Sequence, residues 1–161
     1  MSTSTGLDII RAFGQASEQV LQEVLGESPT RGAPTFQIGP TIPLQEVNVQ
    51  VGVTGNLTGH VNFGMDMTTA LALAGTMMME EIHELDEMAL SALSELANMI
   101  AGNARTFLNQ LAGFSDITPP SVLMGASISG TWSHIRAMSI PLVLGAGTIH
   151  LTVGIRVKET K

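Results

Sequence analysis

Apolar residues recur at three- and four-residue spacings from Leu7 to about Leu25 (Leu7, Ile10, Phe13, Val20, Leu21 and Val24), which predicts an amphipathic helix with one buried stripe. Gly26, Pro29, Gly32 and Pro34 end it and lead into a loop with a short apolar strand near Phe36–Ile38. The period then changes to two. Val47, Val49, Val51 and Val53 alternate with Asn48, Gln50, Gly52 and Thr54, the pattern of a half-buried strand. Gly55-Asn56 supplies turn chemistry, and Val61, Phe63 and Met65 alternate in the strand that follows. Thr68 to about Met79 predicts a second helix, Glu80–Glu87 an acidic link, and Asp86 to Leu111 a long third helix. Beyond Pro119-Pro120, period two returns in Val122–Ser129, Ser133–Leu144 and Thr148–Val157, the last two joined through Gly145-Ala146-Gly147.

Strands in consecutive groups, rather than strictly alternating with helices, predict an α+β fold: a mainly antiparallel sheet with long helices packed on one side. The 161 residues form one domain, with an N-terminal helix over 1–25, a loop and short strand over 26–46, and the sheet and long helix over 47–161. Such a sheet leaves edges. The strands Val47–Val53 and Ile149–Val157 are the candidates, and the second is protected only by Arg156 and Lys158 near its end. Pairing unprotected edges across a two-fold axis predicts a homodimer built at least partly through strands.

Composition narrows the function classes. The chain is 44% apolar with mean hydropathy +0.30, yet no apolar run approaches the roughly 18 residues of a membrane span, so no membrane role is expected. The opening MSTSTGLDIIRAF lacks a basic segment followed by an apolar one, which favours the cytoplasm. Without cysteine, thiolate catalysis and cysteine-based zinc sites are excluded. A net charge of −7 with no Lys/Arg cluster argues against nucleic acid and suits a basic protein partner.

The long helix carries the unusual feature. At about 100° per residue, Ser91, Glu95, Asn98, Gly102 and Asn109 fall within roughly 40° of one line, while Leu93, Leu96, Ile100, Ala104, Phe107 and Leu111 cluster opposite. A solvated helix face is normally Glu, Lys, Gln and Arg. This one holds Asn, Ser and a mid-helix Gly, the last costing about 1 kcal/mol relative to Ala. Either the stripe is a tolerated polar face, or it is shaped for close approach by a partner.

The spacing Ser91-x-x-x-Glu95-x-x-Asn98, followed by Pro119-Pro120, resembles the CheX/CheC family of bacterial chemotaxis phosphatases, whose pattern is Asp or Ser, three residues, Glu, two residues, Asn, then a proline roughly two dozen positions on. VGVTGNLTGHVNFGM is similar to the family's hairpin and ELANMIAGNA to its active-site helix, with the similarity running from about Val51 to Met124. The motif occurs once on a plausible helix, which resembles CheX rather than the two-site CheC. The resemblance implies a CheC/CheX-like fold, a homodimer, and hydrolysis of the aspartyl phosphate on phosphorylated CheY, a response regulator. It implies catalytic roles for Asn98, orienting a water, and for Glu95, engaging a lysine of the partner. Ser91 would add a supporting contact and Gly102 would let the partner's backbone approach. The Mg²⁺ and the phosphorylated Asp would belong to the partner, leaving this chain with no metal or cofactor of its own. Two other readings stay open: a non-catalytic receiver-binding module of the same fold, and a hotdog-type thioesterase, in which an antiparallel sheet also wraps a long helix.

Other motifs carry less. His83-Glu84-Leu85-Asp86-Glu87 lacks the second His of a zincin helix and reads as a solvated link. His60, His134 and His150 are scattered in or beside strands, a structural rather than a ligand pattern. Met77–Met79 are expected to fill core, although an adaptable binding surface is the alternative. No G-x-S-x-G elbow, P-loop or dinucleotide fingerprint is present.

Overall fold

The structure, a computed structural model, describes residues 3–37, 39–132 and 135–158. In chain order the elements are α1 (Thr3–Leu25), β1 (Thr30–Arg31), β2 (Thr35–Phe36), β3 (Thr41–Pro43), β4 (Val47–Gly55), β5 (Leu57–Met65), α2 (Met67–Met78), α3 (Glu87–Ala112), β6 (Ser115–Ile117), β7 (Ser121–Met124), β8 (Ser129–Thr131), β9 (Met138–Leu144) and β10 (Gly147–Val157). An eight-stranded antiparallel sheet runs β1-β9-β10-β5-β4-β6, with β2 also on β9 and β7 also on β4. β3 and β8 form a separate pair. The expected α+β class holds.

Val47, Val49 and Val51 pair with Met65, Phe63 and Val61, so both strands turn their apolar sets to one face, where α1, α2 and α3 complete the core. In α1, Ile9, Ile10, Phe13, Val20 and Leu21 are buried. Gly26 ends that helix in the left-handed region (φ 72°), donating to Gln22 O at 3.0 Å. α2 and α3 start on the same device: Asp66 Oδ1 accepts from Thr69 N at 2.8 Å and Asp86 Oδ1 from Ala89 N at 2.9 Å. On the opposite face of the sheet, Trp132, Ile42 and Ala137 form a small second core, with the Trp132 ring 5.6 Å from that of His60.

Several expectations need correction. β10 lies between β9 and β5, and β4 between β5 and the β6/β7 pair, so neither strand proposed as a free edge is one. The sheet ends instead on the two- to four-residue strands β1, β2, β6 and β7. The strand expected over Val122–Ser129 stops at Met124, and that expected over Ser133–Leu144 begins at Met138; Ile38, Ser133 and His134 lie outside the described residues. In α3, Leu111 is 46% exposed and Leu108 fully buried, because the last turn lies beside the β4–β5 turn, where Asn56 Nδ2 donates to Ala112 O. Met77 and Met78 pack on the core as expected, but Met79 is 92% exposed, held at φ 59° as the C-cap of α2.

Candidate functional site

The site begins with the burial of one half of α3. Ala89, Leu93, Leu96, Ala97, Ile100, Ala101, Ala104 and Leu108 are buried against α1, α2 and the sheet. A 26-residue helix fixed along that line holds its other half rigidly outward. Ser91, Glu95 and Asn98 are exposed there, and Gly102 is partly exposed. Nothing lies within 4 Å of the position a Cβ would take at Gly102, so the backbone is open to approach.

Ser91, Glu95 and Asn98 line one open pocket of about 330 Å³ together with Glu87, Leu90, Ser94 and Pro120. The helix supplies six of these residues, while Pro120 reaches in from the connection between β6 and β7. The proline expected from the motif is thus brought against the helix, whereas Gly102 lies one turn beyond the pocket. Asn109 leaves the set: its Oδ1 accepts from Ser115 N at 2.9 Å and turns the chain into β6. Glu87, Leu90 and Ser94 were missed by sequence reasoning. Continuing the stripe one turn back from Ser91 would have found Glu87, since residues four apart share a helix face.

The charged residues that line the pocket are two carboxylates, Glu87 and Glu95. No lysine or arginine occurs between Arg31 and Arg105, and Glu80, Glu81, Glu84, Glu87 and Glu95 are all exposed. The ion pairs among the described residues are Asp8–Arg11, Glu18–Arg31 and Asp116–Arg105, so Glu95 has no cationic partner there. An unpaired carboxylate on a presented face can receive a cation from another molecule. A carboxamide one turn away can both accept from and donate to a single water. His60 packs on Trp132 and Asp86 caps α3, uses that belong to the fold. Among the described residues no group of three or more His, Asp or Glu is placed to hold a metal ion, and no helix is long and apolar enough to cross a membrane.

Comparison with known proteins finds relatives in one family. The family model for the chemotaxis phosphatase CheX matches residues 47–143. The CheY-P phosphatase CheX of Thermotoga maritima is 36% identical over 121 residues, which is 74% of this chain and 77% of that protein. A chain of the CheX–CheY–BeF3–Mg²⁺ complex from Borrelia burgdorferi is 32% identical and superposes with a TM-score of 0.73, covering 93% of this chain and 97% of that one. The chemotaxis protein CheX of Desulfovibrio desulfuricans shares the fold at a TM-score of 0.82 and 24% identity, over 93% and 99% of the two chains.

Proposed function

This chain belongs to the chemotaxis phosphatase CheX family, and from that premise we propose how its residues act. The protein hydrolyses the aspartyl phosphate of a phosphorylated CheY-type response regulator, returning the receiver's free carboxylate and inorganic phosphate. An acyl phosphate is already labile, so the reaction needs an in-line water and charge stabilisation more than a strong base. Asn98 holds that water, accepting one of its protons in a hydrogen bond and donating to its oxygen. Glu95 takes a lysine of the receiver and sets the docking register. Ser91 adds a polar contact, and Gly102 leaves room for the partner's backbone.

The observation that carries this reading is the shared pocket: Glu95, Asn98 and Pro120 converge on one open surface rather than an enclosed tunnel. The Mg²⁺ and the phosphoryl group come with the receiver, and this chain supplies no cofactor. We place the reaction in the cytoplasm and the working form as a homodimer. The test is release of phosphate from a panel of phosphorylated receiver domains, with wild type beside Asn98→Ala. Wild type accelerates the loss for at least one receiver and the variant does not. Binding without acceleration would make the protein a docking module instead.

A further inference from the structure

The pairing registers of β6 and β7 on β4 differ by one residue, and the difference falls on the diproline. β6 pairs Ile117 with Val53 and Asp116 with Thr54, whereas β7 pairs Ser121 with Gln50 and Val122 with Val49. Continuing the first register places Pro119 opposite Val51; continuing the second places Pro120 there. One residue of β4 therefore faces two of the connection, which is a β-bulge, the device that bends a strand and re-aims a side chain. Neither proline has an N–H to give the ladder, so the bulge sits where pairing costs least.

A bulge without ladder bonds needs another fastening, and Thr118 supplies it. Its N–H donates to Gly52 O at 2.9 Å, and its Oγ1 accepts from Gly52 N at 2.8 Å. The side chain stands in for the carbonyl that a regular antiparallel pair would offer. Gly52 is fitted to this: a Cβ there would lie 3.0 Å from Thr118 Oγ1 and 3.1 Å from its Cγ2. From this reciprocal clamp the chain turns out through Pro119, and Pro120 reaches the pocket that holds Glu95 and Asn98.

We propose that Thr118 and Gly52 are positioning residues for phosphatase turnover, a clamp that sets the diproline bulge and so the placement of Pro120 over the Asn98 pocket. The inference rests on the hydrolysis reading above. Neither residue touches the reacting atoms; they act through Pro120, which bounds the space in which the water and the receiver's phosphoryl group align. A misplacement on the order of 1 Å can cost up to about 100-fold in rate, and a loosened wall is the milder case.

The experiment uses the receiver that wild type dephosphorylates fastest. Thr118→Val keeps the shape and removes Oγ1; Thr118→Ser keeps the acceptor; Gly52→Ala keeps Thr118 but pushes against it. Thr118→Val and Gly52→Ala should each lower kcat by about 10-fold, a fraction of the cost of full misplacement, and Thr118→Ser should restore most of it. Affinity for the same receiver loaded with beryllofluoride and Mg²⁺ should change less than about twofold, because docking through Glu95 is untouched. Unchanged kcat in Thr118→Val with only a lower Tm would reduce the clamp to edge stabilisation and overturn the inference. Equal loss in Thr118→Ser would also overturn it. Absence of wild-type activity on every receiver tested would instead overturn the underlying reading.

Discussion

Asn98 and Pro120 border one pocket from elements of different kinds, a helix anchored along its length in the core and a bulge at the sheet margin. The proline ring carries no donor, so it would shape the space beside the carboxamide without competing for the water proposed to sit there. Chemistry and stability are therefore separable at Asn98, and single substitutions can read them apart.

Asn98→Ala should lower the dephosphorylation rate about 100-fold or more, the range for loss of a positioning hydrogen-bonding group. The helix itself should be as stable or gain a few tenths of a kcal/mol, since Ala is the better helix former on an exposed face. Paired measurements of rate and Tm check this. A normal rate in the variant would remove Asn98 from the mechanism.

Glu95 should fail in binding rather than in folding. Glu95→Gln weakens the complex with a beryllofluoride-loaded receiver, and Glu95→Lys weakens it further, because like charges then meet across the interface. The loss should shrink on adding salt for Glu95→Lys, as screening relieves the repulsion. Titration calorimetry at two ionic strengths separates these outcomes, and equal affinity for all three proteins would displace the docking face.

Gly102→Leu tests access alone. With open space where the Cβ would sit, the free protein should gain most of about 1 kcal/mol of helix propensity. Receiver affinity should fall at the same time. A destabilised protein with normal affinity would mean that the position packs inside.

The Glu18–Arg31 bond, 2.6 Å from Nε to Oε1, ties β1 to α1 and gives a pH signature. Hydrogen bonding to Arg31 holds the Glu18 carboxyl below its ordinary value, against a smaller opposing effect of burial. A lowered folded pKa contributes stability above the unfolded value of about 4.3 and loses it as pH falls through the folded one. Both side chains are about a third exposed, so the pair is worth about 1 kcal/mol or less. Thermal melts should show Glu18→Gln less stable than wild type at pH 7, with the gap closing in acid. A gap that persists to pH 2 would assign the loss to packing.

Light scattering at micromolar concentration should give about twice the single-chain 16.9 kDa. Because β4 and β10 are internal, the contact must use the short margin strands or another face. A mass near one chain would end the dimer proposal and leave the site as it is.

The periodic segments were legible from sequence because each buries its own stripe. α1, α2, α3 and the β4–β5 and β9–β10 hairpins declare themselves in spacings that burial dictates. Ser91, Glu95 and Asn98 were legible for the complementary reason, as polar residues where a core stripe cannot be. β1, β3, β6 and β8 are two or three residues long and are strands only through their partners, which no local period encodes. The Thr118 clamp was invisible for the same reason: Gly52 looks like any polar-face position of an alternating strand until its neighbour is known. Asn109 shared the stripe's angle, but the chain reversal at Gly113 claimed its side chain.

The division of α3 into a buried and a presented half has an evolutionary corollary. Substitutions on the outward line leave Leu93, Ile100 and Leu108 undisturbed, so the lineage can try new surface residues without passing through unfolded intermediates. Exposed positions such as Met88 and Thr106 lie on the presented half, outside the pocket that holds Glu95 and Asn98. A duplicated copy could thus be retargeted to a different receiver by drift at these positions, with Glu95 and Asn98 inherited intact.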